Sequence, residues 1–185
     1  MQYFLVFFAI FIAHVYSQPC CPPFITRAAA VFDGSPNNTG ISGTVTFEQD
    51  VYGYPVRVIG DLRGLVPGLH GFHITKYGNM TDGCKSTGAH FNPFFKAHGP
   101  PTSNSRHVGD LGNIRADAFG KAHIGFKNYQ LSLNGQFSIL GRSVVITEDE
   151  DDLGTAGTEE SLTTGNAGRR IACAIIVITK EKYFL

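Results

Sequence analysis

Net charge, helical periodicity and long apolar runs are all scarce in this 185-residue chain. Fifteen Lys and Arg balance fifteen Asp and Glu, so there is no overall field to gather a polyanion, and no nucleic-acid partner is expected. No segment repeats apolar residues at the 3.6-residue interval for three turns, which argues against a helical architecture. No apolar stretch reaches the roughly 20 residues needed to cross a bilayer, so no membrane span is expected. The run from Tyr3 to Ala13, within MQYFLVFFAIFIAHVYS, lacks Lys, Arg, Asp and Glu and is followed by Val15 and Ser17. It reads as a secretory signal peptide over residues 1–17, cleaved before Gln18, although the usual basic residues at its start are missing. The alternative is a buried N-terminal helix.

The remaining chain is one domain's worth and can enclose a core. Short alternating or β-branched stretches recur at Thr26–Phe32, Ile41–Phe47, Pro55–Leu62, Gly71–Tyr77, Asn113–Ala116, Lys121–Lys127, Ser143–Thr147 and Arg170–Thr179. Turn signals such as SPNNTG, DAFG and NG separate them. The fold class is therefore all-β, an antiparallel sandwich or barrel of about eight strands. Two connections, Gly78 to about Val108 and Glu148 to Arg169, exceed the roughly 2 to 5 residues of a hairpin loop and are read as functional.

All four cysteines lie beyond residue 17, where an oxidising compartment allows disulfides. Cys84 and Cys173 form the natural intradomain pair because each sits in an ordered-looking segment. Cys20 and Cys21 either bridge chains or stay reduced. Asn37 and Asn79 head glycosylation sequons, which agree with export.

The first long connection contains GAHFNPFFKAHGPPTSNSRHVGDLGN, with His90, His98, His107 and Asp110. Three imidazoles and a carboxylate suit tetrahedral zinc, and a closed set of four leaves no open position, so the site reads as structural. A metal could also supply cross-links to a loop poor in apolar anchors. Solvated loop histidines are the alternative on spacing alone.

The motifs GLHGFHI, GCKSTGAHFNP, HGPP, RHVGDLGN, the DDLG after a VV-containing strand, and GNAGRRIAC resemble, in order and gap, the copper/zinc superoxide dismutases. The resemblance implies an eight-stranded Greek-key barrel over residues 28–180, preceded by an N-terminal segment at 18–27 and followed by a charged tail at 181–185. It implies that His90, His98, His107 and Asp110 hold zinc and that His90 bridges to copper. It also implies that Cys84 and Cys173 tie the first long loop to the last strand, that Arg170 positions superoxide, and that Asp151 links the two metal sites. His70 is expected to brace the site through a backbone hydrogen bond, and His123 to point outward from a strand.

The resemblance also exposes a departure. The family holds copper with four histidines; His73 and His90 match two of them, while Thr75 and Thr147 stand at the others. Threonine hydroxyls are weak, hard donors beside imidazole. The second long loop has no Lys or Arg between Arg142 and Arg169, where the family uses cations to draw superoxide inward. The expectation is a secreted, zinc-binding relative with a degenerate copper site, little or no dismutation and a binding or regulatory role. The alternative is a dismutase with unusual copper ligation, whose partner would be superoxide. Gly78 fits a family-type homodimer, whereas Ala174 and Val177 occupy positions often held by glycine.

Overall fold

The computed structural model describes residues 24–34 and 39–179. The signal peptide, Cys20, Cys21, the Asn37 sequon and the tail 181–185 lie outside the described residues.

The described residues form nine strands: β1 (Arg27–Asp33), β2 (Ser42–Asp50), β3 (Gly53–Arg63), β4 (Gly68–Thr75), β5 (Thr81–Cys84), β6 (Asp110–Ala116), β7 (Ala122–Asn128), β8 (Ser143–Thr147) and β9 (Arg170–Ile178). Eight of them close an antiparallel barrel in the order β1-β2-β3-β7-β6-β4-β8-β9. The chain leaves β3 for β4 across two other strands and returns from β7 to β8, which is the Greek-key crossover anticipated from the sequence. Alternation explains the outer strands. In β3, Val56, Val58 and Leu62 are buried while Arg57, Asp61 and Arg63 face solvent, as expected of a strand with one wet face. The core centres on Phe47, Phe72, Leu62, Ile74, Ile146 and Ile176.

Strands β4 and β8 break that rule, since β8 is buried at every position and β4 from His70 onward. Phe72 and Ile74 enter the core, so His73 and Thr75 point away from it, yet both are buried. The two long loops provide the cover. Phe91 and Gly109 hydrogen-bond to the two sides of Ile74, through Phe91 N–H to Ile74 C=O at 2.8 Å and Ile74 N–H to Gly109 C=O at 2.8 Å. Gly109 permits this approach, because a Cβ there would lie 2.1 Å from the Ile74 carbonyl oxygen. From the other side, Gly71 N–H donates to the Asp149 carbonyl at 3.0 Å.

Three details differ from the sequence reading. The first long connection contains regular structure, β5 followed by a 3₁₀ turn at Lys85–Thr87. The second contains a single helical turn, Ser161–Thr164. Strands β4 and β6 begin at Gly68 and Asp110 rather than at Gly71 and Asn113. Short elements without an apolar repeat carry no periodic signal, which is why alternation missed them.

Cys84 at the end of β5 is bonded to Cys173 in β9 across 89 residues of sequence. Closing a loop of that length restricts the unfolded chain, so the paired substitution Cys84→Ser/Cys173→Ser is expected to lower stability by about 2–5 kcal/mol. Urea unfolding of the two proteins in the same buffer measures this.

Candidate metal centre

The first loop and the start of β6 bring four donors together. Asp110 Oδ1 lies 2.9 Å from His90 Nδ1, 3.0 Å from His98 Nδ1 and 3.1 Å from His107 Nδ1. Ligand atoms about 2.0–2.1 Å from a tetrahedral zinc ion are separated from one another by roughly 3.3 Å, so the observed spacing matches a zinc site that opens by a few tenths of an ångström. His98 Nδ1 is buried and, despite its distance from Asp110, is not aligned for a hydrogen bond, leaving a nitrogen aimed at a position where a cation would satisfy it. Asp110 Oδ2 is fixed separately by the main-chain N–H groups of His107 at 2.9 Å and Gly99 at 3.2 Å. All four side chains are buried, and the chemistry of the set fits zinc.

The second loop adds Asp151, which reaches both sides of the centre. Its Oδ1 accepts from His98 Nε2 at 2.7 Å and its Oδ2 from His73 Nε2 at 2.9 Å. Asn113, just beyond Asp110 in β6, holds the Asp151 backbone by accepting from its N–H and donating to its C=O, each at 2.8 Å. This clamp had no role in the sequence reading; the only signal for it was its place at the end of RHVGDLGN. Gly165 is equally necessary, since a Cβ there would meet Asp151 Oδ1 at 1.9 Å.

Electrostatics follow from burial and these bonds. Burial, and then the neighbouring His73, push the His90 imidazole down to about 3, which keeps it neutral as a ligand must be. Burial opposes charge on His98 as well, but the nearby Asp110 carboxylate and the hydrogen-bonded Asp151 carboxylate outweigh it and raise that imidazole to about 9. Burial would raise both carboxylates, yet their histidine partners prevail. Asp151 falls to about 2, and Asp110 is held far below the usual carboxylate range. These groups thus form an ion-pair network, and a cation bound among them would take the place of the His98 proton.

On the other side of Asp151, His73 uses Nε2 for the carboxylate and leaves a buried Nδ1 with no hydrogen-bond partner. Its ring stacks on His90 at a centroid distance of 4.1 Å. Thr75 donates to the Ser143 carbonyl at 3.3 Å, and Thr147 lies within reach of the carbonyls of Asp149 at 3.1 Å and Gly71 at 3.3 Å. His70 braces β4, its Nδ1 lying 2.8 Å from the Thr147 carbonyl and its Nε2 2.8 Å from that of Val66. His123 points outward and pairs with Asp61. Arg170 is partly buried and donates to Thr87 Oγ1 at 2.9 Å and the Cys84 carbonyl at 3.2 Å. Asn79 is exposed.

Residues 41–176 match the family model described as copper/zinc superoxide dismutase (SODC). The chain belongs to the copper/zinc superoxide dismutase family. It is 52% identical over 156 residues to "Superoxide dismutase [Cu-Zn]" of Onchocerca volvulus, covering 83% of this chain and 96% of that protein. It is 51% identical over 146 residues to "Extracellular superoxide dismutase [Cu-Zn]" of Brugia pahangi, covering 77% and 72%. "Superoxide dismutase [Cu-Zn] 2" of Mesembryanthemum crystallinum is 51% identical over 152 residues, covering 82% of this chain and 95% of that protein. The family implies copper and zinc as metals, and the His/Asp cluster above is the part of the centre whose donors suit zinc.

Because Asp151 orients His98 without occupying a donor position, Asp151→Asn is expected to weaken zinc binding about 10–100-fold while the barrel stays folded. Competition with a chromophoric chelator reads the affinity, and circular dichroism checks the fold.

Proposed function

We propose that this protein is an exported, zinc-binding member of the family whose copper grip is reduced to two imidazoles, with weak or absent dismutation and a binding or regulatory role. The observation that carries the reading is the use of the two threonine hydroxyls. Thr75 and Thr147 stand where the resemblance expects copper histidines, and their hydroxyls are engaged with main-chain carbonyls. A hydroxyl that keeps its proton for a carbonyl is a poor ligand, and His73 with His90 falls short of the tetragonal nitrogen set that Cu(II) prefers. The residues present therefore do not fit a redox-cycling copper ion.

In this proposal zinc, held by His90, His98, His107 and Asp110, fixes the first loop against the barrel. Asp151 couples that clamp to β4 through His73, and the Cys84–Cys173 bond secures the loop's other end. Glu148 is paired with Arg169, and the exposed Asp149 and Glu150 beside it in the second loop oppose approach of an anion. Arg170, which would position superoxide in an active relative, here braces Thr87 and Cys84. Removal of residues 1–17, a family domain over 28–180, glycans at Asn37 and Asn79, and a homodimer through the end of β9 belong to the same proposal.

A second reading is supported by one specific observation, the buried and unpartnered His73 Nδ1 beside His90. Copper held there with water would leave a dismutase of unusual ligation, in keeping with the names of the relatives.

Copper-loaded protein compared with its Thr75→His/Thr147→His variant separates the two. The proposed function predicts negligible dismutation in the unmodified protein, and in the variant both activity and a four-nitrogen Cu(II) resonance spectrum. Substantial activity in the unmodified protein that disappears on His73→Ala would overturn it.

A further inference from the structure

The first long loop also carries a projection that the metal centre does not use. Residues 92–96 form a tight turn closed by Asn92, whose Nδ2 donates to the Lys96 carbonyl at 2.7 Å and whose Oδ1 accepts from Lys96 N–H at 3.0 Å. At its apex stand Phe94, 50% exposed, and Phe95, 93% exposed. Phe95 adopts φ +53°, a left-handed conformation disfavoured for a side chain of this size. A large apolar side chain that is both strained and solvated gains nothing for the fold. Phe94 is steadied by an edge contact with Phe137 at 4.9 Å.

The surroundings are cationic and aromatic. Lys96 Nζ donates to the Asn104 carbonyl at 2.7 Å, and Gln130 Nε2 reaches the same oxygen at 3.3 Å. That shared carbonyl draws in the segment bearing exposed Lys127 and Tyr129. No Asp or Glu occurs in residues 85–109 or 118–147, the stretches that carry Phe94, Phe95, Lys96, Lys127 and Tyr129.

We propose that this turn is a membrane-contact element, seating Phe95 and Phe94 at the apolar boundary of an anionic bilayer with Lys96 and Lys127 among its headgroups. The aromatics project from a turn rather than line a groove, which suits insertion into a lipid interface. Lys96 and Lys127, with Arg57 across the ladder from Lys127, outnumber the one acid paired there, Glu48, and complement anionic lipid. The Asn92 bracket fixes the turn beforehand, so little conformational freedom is lost on contact. Nothing in this inference rests on the metal content of the centre.

Co-sedimentation of the zinc-loaded protein with vesicles of phosphatidylserine and phosphatidylcholine in equal parts, and with phosphatidylcholine alone, tests the proposal. Binding to the mixed vesicles is expected, weakened by salt, and at least about tenfold weaker for Phe95→Asn, the factor that burial of one aromatic side chain supplies. Asn tolerates the left-handed conformation, so that variant should melt at the same or a higher temperature, which separates lost binding from lost structure. No vesicle binding, equal binding to phosphatidylcholine alone, or indifference to Phe95→Asn would overturn the proposal. So would a dimer seen by sedimentation velocity and abolished by Phe95→Asn, which would assign the patch to a second copy of the chain.

Discussion

A single carboxylate oxygen, Asp110 Oδ1, has three imidazole nitrogens within 3.1 Å, and the arrangement of both long loops follows from that convergence. The first loop has few apolar anchors of its own and crosses β4 through main-chain bonds at Ile74, Lys76 and Tyr77. Its donors come from three separated points and meet only if the loop folds back on itself. A cation in their midst would convert a desolvated His–Asp network into a metal cross-link, with binding energy appearing as folding energy. Asp151 extends the constraint to the second loop, since the carboxylate that orients His98 also orients His73. The outward faces of β4 and β8 are buried because these two loops close over them.

Beside His73, the buried outward faces of β4 and β8 carry two threonines whose hydroxyls are met by the backbone. Thr75 and Thr147 are β-branched and suit strands, and each finds a carbonyl for its hydroxyl. Burial of either hydroxyl without a partner would cost about 1–3 kcal/mol. Ser143, paired across the ladder with Thr75, has a buried Oγ without a hydrogen-bond partner, the one place on these two strand faces, besides His73 Nδ1, where polar satisfaction is incomplete.

The barrel was legible because period-two alternation survives wherever one strand face meets solvent, as in β2 and β3. It was also legible in β4, where Phe72 and Ile74 alternate toward the core although both faces of that strand are buried. The four zinc-type donors, Asp151 and the disulfide cysteines were legible as a family pattern, and the structure brings each group together. The hydroxyl contacts of Thr75 and Thr147 could not be read, because they depend on rotamers and on carbonyls from distant segments. Asn113 was hidden for the same reason, acting on a backbone 38 residues away. Phe95 escaped notice because backbone handedness at a turn residue leaves no mark in composition.

The central proposal is that the zinc clamp is whole while the copper grip is not, and metal analysis of the protein isolated from its own source tests it most directly. About one zinc per chain with copper far below stoichiometry is the predicted result, because only the four-donor cluster closes a coordination shell. One copper per chain with a tetragonal nitrogen-rich spectrum would contradict the account.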